Sequence, residues 1–250
     1  MKILVTAKRV TDPDAKIRVK PDGTGIETAG LEYKLNPFCE NAVEAAVSIA
    51  EKVGGTEVVA VTIGNDEAVN NLRTALAMGA ERGIHVKCDE WQIDSDIVAR
   101  ILAKVFEREK PDLFILGKQA VDGDSNQVGQ LVAEYLGLPQ ACFASRIEVG
   151  QGKVTVTREV DGGLETLELA LPALITADLR LNTPRLPTLP NVLKAKRKPV
   201  QALTPAELGV DMAVKVATVA YEAPPQRKGG VKVKTVQELV EKLKNEAKVL

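Results

Sequence analysis

The chain has 250 residues, 45% of them hydrophobic, with 33 basic against 34 acidic side chains, enough to bury a substantial core in one large domain or in a domain with an extension. A formal charge of -1 excludes the positive field that a nucleic-acid backbone requires. Cys39, Cys88 and Cys142 are too few and too widely spaced for a disulfide framework, and with His85 as the sole histidine they leave no zinc or iron-sulfur cluster.

Met1-Lys2 leads directly into the apolar run Ile3 to Val5, without a basic-then-apolar signal region, and no long uncharged apolar stretch follows. The expectation is a cytoplasmic protein with no membrane insertion. From residue 2 to about 137, short β-branched runs alternate with helical patterns, as in a parallel sheet wound by crossover helices. Ile3 to Ala7, Val58 to Thr62, Ile84 to Val86 and Leu113 to Leu116 read as strands buried on both faces, with His85 a plain strand residue. KIRVK (16–20) followed by PDGTG (21–25) reads as a hairpin inserted after the first strand.

Four helices are expected in this part. The first opens at an Asn36 cap and Pro37, buries Val43, Ala46, Val47, Ala50 and Val53, and stops at Gly54-Gly55. The second runs from Asp66 to Met78, and the third from Asp94 to Lys110. The fourth runs from Ser125 to Leu136 with Val128, Leu131, Val132 and Tyr135 inward. Beyond residue 140, Ile147 to Val149, Lys153 to Val160 and Leu164 to Leu171 alternate as antiparallel strands, and Ala173 to Thr176 adds an apolar run. From Asn182 the chain is punctuated by proline and needs something to lie on. It ends in a helix with a Thr235/Glu238 capping box and a stripe of Val236, Leu239, Val240 and Leu243, which either packs on its own domain or clasps another polypeptide. The fold class is therefore α/β: a doubly wound, mostly parallel sheet with an added antiparallel region and an extended C-terminal arm.

Ligands of such sheets sit at the carboxyl ends of the strands, in the loops after Ala7, Thr62 and Leu116. The third loop, Gly117-Lys118-Gln119-Ala120-Val121-Asp122-Gly123-Asp124-Ser125-Asn126-Gln127-Val128, leaves a buried strand and opens a helix. Glycines permit close backbone approach and free amides at a helix start hold phosphate; Asp124, Ser125 and Asn126 serve equally as plain helix caps. Neither G-x-x-x-x-G-K-[ST] nor G-x-G-x-x-G occurs, which favours a bound mono- or dinucleotide over a hydrolysed triphosphate. Asn36-Pro37-Phe38-Cys39 offers a second set of amides, or simply an Asn cap. Aromatic residues make up 3% of the chain, too few to sandwich a flavin ring, so any flavin is shared with another chain.

These segments, together with LVTAKRV, RTALAMGAERGIHV, LGKQAVDGDSNQVGQ, TREVDGGLETLELALPALITADLRLNTPR, TLPNVLKAKRK and PPQRKGGVKV, resemble the β subunit of electron-transfer flavoprotein over essentially the whole length. The resemblance implies a heterodimer in which an α subunit binds most of the FAD while this chain holds a structural AMP and has no catalytic group of its own. By motif, the AMP contacts are Thr6, Asn36, Pro37, Phe38, Cys39, Ile63 and the loop Gly117 to Val128, with Thr6 and Ile63 contributing backbone or packing. Glu159 in TREVDGG matches a carboxylate facing an arginine of the mobile flavin domain, and Leu189 in TLPN matches an anchor that inserts into dehydrogenase partners such as acyl-CoA dehydrogenases. Electrons then pass to a membrane-associated quinone oxidoreductase. The implied organisation is an adenine-nucleotide-binding domain at 1–181, a partner-recognition loop and short helix at 182–198, and a C-terminal arm at 199–250 that packs on the partner subunit. The chain departs from some members at Pro13-Asp14, where an aromatic near the flavin is found. Two other classes are weighed against this one. A stand-alone adenine-nucleotide-binding stress protein leaves the proline-rich tail unexplained, and an ATP-using ligase or hydrolase lacks its triphosphate motif.

Overall fold

The computed structural model describes residues 1–227 and 229–250. It divides into two units, one comprising residues 1–16 and 28–218 and the other 17–27 and 219–250. In chain order the larger unit contains β1 (Lys2–Thr6), β2 (Arg9–Thr11), β3 (Tyr33–Leu35), α1 (Pro37–Val53), β4 (Glu57–Gly64), α2 (Ala68–Met78), β5 (Arg82–Lys87), α3 (Ser95–Glu109), β6 (Leu113–Gly117) and α4 (Val128–Leu136). It continues with β7 (Gln140–Val149), β8 (Lys153–Val160), β9 (Gly163–Ala170), β10 (Ala173–Ala177), α5 (Leu189–Ala195) and β11 (Val200–Leu203).

The main sheet has the order β11-β5-β4-β1-β6-β10-β7-β8-β9. Every pairing from β11 to β7 is parallel, and β8 and β9 extend the sheet antiparallel. Because strand side chains alternate, Ile3, Val5, Val58 and Ala60 pack beneath Ala42, Val43 and Ala46 of α1 and Leu72 and Leu76 of α2. Leu4, Val59, Val61, Ile84 and Val86 pack on the other face with Ile97, Ile101 and Leu102 of α3 and Val132 of α4. The apolar runs read as doubly buried strands are therefore covered by a pair of helices on each side. His85 is a buried strand residue whose Nε2 lies 3.0 Å from the Gly64 carbonyl.

Several expectations are corrected. The hairpin expected at 16–25 is reduced, in the smaller unit, to a single bridge between Val19 and Ile26 around a turn, its one apolar face being only Ile17 and Val19, with Ile17 exposed. The antiparallel ladder near the first strand is instead β2 with β3. There the Arg9 guanidinium lies 3.4 Å from the centre of the Tyr33 ring, a cation-π contact between the strands. Helix α4 begins at Val128 rather than Ser125, since Asp124 and Asn126 adopt positive φ. Tyr135, expected inward, is exposed, and its hydroxyl donates to Asp96. Val53, read as part of the α1 stripe, is likewise exposed at the helix end.

Part of the tail completes the sheet. Strand β11 pairs with β5, and Arg73 of α2 donates to the carbonyls of Ala195 and Lys198, while Lys198 Nζ donates to those of Leu76 and Ala80. The segment ahead of α5 is pinned to α1: Asn41 and Asn182 exchange side-chain to backbone hydrogen bonds, and the Arg185 fork engages both oxygens of Glu44 and reaches Glu51. Burial pushes the Glu44 carboxyl up, but the hydrogen bonds from Arg185 and Ser48 outweigh it and hold the group below its ordinary range. In the smaller unit, α6 (Val236–Asn245) is capped by Thr235, whose hydroxyl accepts from Glu238 N–H; the Glu238 carboxylate reaches back one residue further than expected, to Lys234 N–H. Val236, Leu239 and Val240 on this helix are exposed.

Residues 211–216 form a strap against α3. Asp94 Oδ2 accepts the amides of Lys215 and Val216, Lys215 Nζ binds Asp96 at 2.8 Å, and Arg100 donates to the Asp211 and Ala213 carbonyls. The hydrogen bonds from Lys215 and then Tyr135 push the Asp96 carboxyl down to about 2. A depressed carboxylate contributes stability above its unfolded value and loses it as pH falls through the folded one. Amide-exchange protection of Lys215 and Val216 should therefore hold at neutral pH and fall as pH drops from about 4 towards about 2. Asp94, which accepts these two amides, is likewise held, against the opposing effect of burial, below its ordinary range by its backbone hydrogen bonds, and protection that is lost already above pH 5 would show that the two carboxylates do not hold the strap.

Candidate functional site

The winding reverses at β1. The chain runs outward through β4 and β5, and α3 then carries it back to β6 on the other side of β1. The carboxyl ends of strands at such a reversal splay apart and leave a crevice. A cavity of about 220 Å³ lies there, lined by the ends of β1, β4 and β6, the start of α3 and the loop 117–128.

Asn36 organises the rim. It occupies the cap position of α1, yet its side chain makes no capping bond to the helix. Its Nδ2 donates to the Gln119 carbonyl at 2.8 Å and its Oδ1 accepts from Val121 N–H at 3.2 Å, so a side chain that is 1% exposed clamps the loop after β6. The same loop rests on α1 through Gly117, where an added Cβ would stand 2.8 Å from Phe38 backbone and side-chain carbons. Gly129 does the equivalent for α4, since a Cβ there would come within 2.5 Å of Thr176 on β10.

Two helix starts border the cavity, and they differ. At α3 the Asp94 carboxylate caps Ile97 N–H at 2.8 Å and brings its own negative charge. At α4 the cap position is held by Gln127, without a side-chain bond. Asp124 and Asn126, both at positive φ, bend the approach to the helix, and the Asp124 amide donates to the Ala120 carbonyl at 2.9 Å. This open helix start is the better place for an anion. The side-chain charges around it are already paired: Lys8 Nζ spans to both oxygens of Asp122 at 2.8 and 2.9 Å, Lys118 binds Asp178 at 2.7 Å, and Asp124 accepts from Gln119. Burial raises the Asp178 carboxyl, but the bonds from Lys118 and the Arg180 amide leave it lowered. Among the described residues no cluster of histidine, cysteine, aspartate or glutamate suits a metal ion.

Of the residues singled out from the sequence, Thr6, Asn36, Cys39, Ile63, Gly117, Lys118, Gln119, Ala120 and Asp122 through Val128 line the cavity. Pro37, Phe38 and Val121 lie outside the lining and act behind it: Pro37 and Phe38 open α1, and the Val121 amide is taken by Asn36. Cys39 contacts the Thr6 hydroxyl at 3.5 Å. Glu159 and Leu189 stand elsewhere, Glu159 on β8 paired with Arg180 at 3.1 Å, and Leu189 at the first position of α5 with 72% of its surface exposed. Lys8 and the whole β5-α3 wall, including Glu90, Ile93, Asp94, Val98 and Leu102, were not anticipated. The carboxyl-end rule, extended to the strand around His85, points to that wall.

The electron transfer flavoprotein domain matches residues 24–208. The chain belongs to the electron transfer flavoprotein family. It is 52% identical over 247 residues to the human electron transfer flavoprotein subunit beta, covering 98% of this chain and 97% of the relative. It is 54% identical over 250 residues to the subunit beta of Bradyrhizobium diazoefficiens, covering all of both chains. The mitochondrial subunit beta of Oryza sativa subsp. japonica is 51% identical over 253 residues, also end to end. Membership of the family carries a role in electron transfer.

Asn36→Ala leaves the Gln119 carbonyl and the Val121 amide without their buried partner. It should lower unfolding stability by about 2–6 kcal/mol, at about 1–3 kcal/mol for each of the two abandoned groups, with Asn36→Asp also impaired because a carboxylate cannot donate to Gln119. Denaturant unfolding checks this, and a loss under about 1 kcal/mol would show that the clamp does not hold the loop.

Proposed function

We propose that this chain is the β subunit of a heterodimeric electron-transfer flavoprotein, holding a structural AMP in the cavity between β1, β4 and β6. The observation that supports the nucleotide most directly is the uncapped start of α4, which borders the cavity opposite its apolar wall. The phosphate lies at the first-turn amides of α4, with the contribution of the helix dipole alone about 0.3–1 kcal/mol, so several amides act together. Asn36 to Cys39 and Thr6 hold the rim, and Ile63 packs against the ligand.

FAD is held mainly by an α subunit, because this chain brings too few aromatic side chains to enclose the ring. When bound, FAD supplies the group that accepts and releases the electrons. The chain's own residues position the partners: Glu159 faces the flavin-carrying part of the α subunit, and Leu189 docks dehydrogenases such as acyl-CoA dehydrogenases, from which electrons pass through FAD to a quinone oxidoreductase. Leu189 suits docking because Thr188 and Pro190 restrict the backbone on either side of it, which limits the entropy lost on binding. Its burial is worth about 1.5–3 kcal/mol. In this reading residues 182–198 recognise the dehydrogenase, the exposed stripe of α6 lies on the α subunit within an arm formed by 199–250, and the chain makes or breaks no substrate bond. No helix among the described residues is long and apolar enough to cross a membrane, and the proposed compartment is the bacterial cytoplasm or, in a eukaryote, the mitochondrial matrix.

Produced alone, the chain should release about one AMP on denaturation, and produced with its α partner it should release about one AMP and one FAD. ATP in place of AMP, with no flavin under any pairing, would point to a stand-alone nucleotide-binding protein, and two FAD per heterodimer to a bifurcating role. Leu189→Ala should raise the dehydrogenase concentration needed for half-maximal reduction by roughly tenfold or more, leaving nucleotide content unchanged. An unaltered concentration dependence would remove Leu189 from the docking surface.

A further inference from the structure

Two carboxylates in the cavity are each used on only one oxygen, exposed Asp124 and half-buried Glu90. Glu90 follows β5 in a single 3-10 turn and lines the cavity. Its Oε1 accepts from Arg9 Nη1 at 2.7 Å and from Asn65 Nδ2 at 3.4 Å. Its Oε2 takes no hydrogen bond among the described residues. This oxygen lies over the carboxyl end of β4, where an added Cβ on Gly64 would meet it at 2.8 Å. The Glu90 side chain is 19% exposed, and burial, with Asp122 adding to it, pushes its carboxyl above the ordinary range although Arg9 and Lys8 oppose the shift. Lys8 is engaged by Asp122 and Arg9 by Oε1, so neither cation is spent on Oε2.

The position of that oxygen relative to the anion site fixes what it meets. From the end of β6, where α4 offers its open amides, to the end of β4 is two strand spacings, roughly 10 Å. That matches the long dimension of a nucleoside monophosphate, so a ligand with its phosphate at α4 reaches Glu90 with its base. The wall on that side is apolar, formed by Val61, Ile63, Ile93, Val98 and Leu102, and suits a flat ring system. An acceptor-only carboxylate oxygen at the far end of such a slot selects a hydrogen-bond donor on the ring edge and rejects a carbonyl.

We propose that Glu90 sets the base specificity of the cavity, its Oε2 accepting a hydrogen bond from the exocyclic amine of a 6-aminopurine monophosphate. This rests on the nucleotide reading above and adds to it a named residue that distinguishes AMP from IMP, in which a carbonyl replaces the amine. Arg9 is the positioning residue. Its guanidinium, buried and stacked on Tyr33, fixes Oε1 and thereby leaves Oε2 directed to the ligand.

The test is titration of the full chain, freed of co-purifying nucleotide, with AMP, IMP and 2′-deoxy-AMP, read by calorimetry and by the fluorescence of Trp91, the sole tryptophan and the neighbour of Glu90. The wild-type chain should prefer AMP to IMP by roughly 10- to 100-fold, the range for a hydrogen bond to a charged group, and should bind 2′-deoxy-AMP about as well as AMP. Glu90→Gln, whose amide can donate to the carbonyl of IMP, should lose most of that preference. Glu90→Asp keeps the charge but withdraws the oxygen, and should weaken the preference without reversing it. Equal binding of AMP and IMP by the wild-type chain overturns the inference even if neither variant folds. Discrimination against 2′-deoxy-AMP instead of IMP, or an undiminished AMP preference in Glu90→Gln, also overturns it. Failure of every nucleotide to bind removes the nucleotide reading itself, and the inference with it.

Discussion

Asn36 is a polar side chain sealed between two loops that cross the same crevice, and most of the site geometry follows from how its hydrogen bonds are shared. Its backbone amide takes the Lys8 carbonyl at 2.9 Å and its carbonyl starts the first turn of α1, while its side chain holds the loop after β6. One residue thus ties the exits of two adjacent strands to the helix between them. Buried polar groups are costly unless fully paired. The arrangement is therefore bistable only at the expense of several bonds at once, which keeps the loop 117–128 in a single shape before any ligand arrives. Gly117 completes the fit by letting Phe38 and Cys39 sit directly on the loop.

The parallel core was legible in the sequence because runs such as Val58 to Thr62 and Leu113 to Leu116 are apolar on both faces and alternate with helical stripes. The elements that were not legible owe their state to neighbours. Val200–Leu203 carries no strand periodicity of its own and becomes β11 because β5 presents an unpaired edge, held in reach by Arg73 and Lys198. The alternation at Lys16 to Lys20 resembles a strand locally, but its pairing stops at the single Val19–Ile26 bridge. Asn36 illustrates a second kind of failure: an Asn before a Pro-opened helix reads as a cap, and the same amide chemistry is spent instead on a loop some 80 residues away in sequence. The residues of loop 117–128 were visible as a group, whereas Glu90 and Asp94 were not, since their loop contains no glycine and only the fold brings it to the crevice.

The two surfaces proposed for partner recognition are built differently. Ahead of α5, rigid polar anchoring by Asn41, Asn182, Glu44 and Arg185 leaves Leu186 and Leu189 exposed on a stiff mount. On β8 and β9, the pairing of Glu159 with Arg180 and of Arg158 with Glu165 keeps charge spread over an edge that also carries exposed Val160 and Leu164. Charged side chains on such an edge discourage uncontrolled strand pairing while leaving apolar groups available to a specific partner.

The strand order also dictates when the protein can finish folding as it leaves the ribosome. Strand β10 sits between β6 and β7, so the halves of the sheet cannot join until residue 177 has emerged, and β5 keeps a bare edge until residue 203 has followed. The loops that frame the cavity are complete by residue 128, yet α4 packs through Gly129 on Thr176, which is made almost fifty residues later. Nucleotide captured during synthesis would therefore meet a half-formed wall. The strands made last close the sheet around a cavity whose lining was made first, and they set the earliest moment at which that cavity becomes rigid.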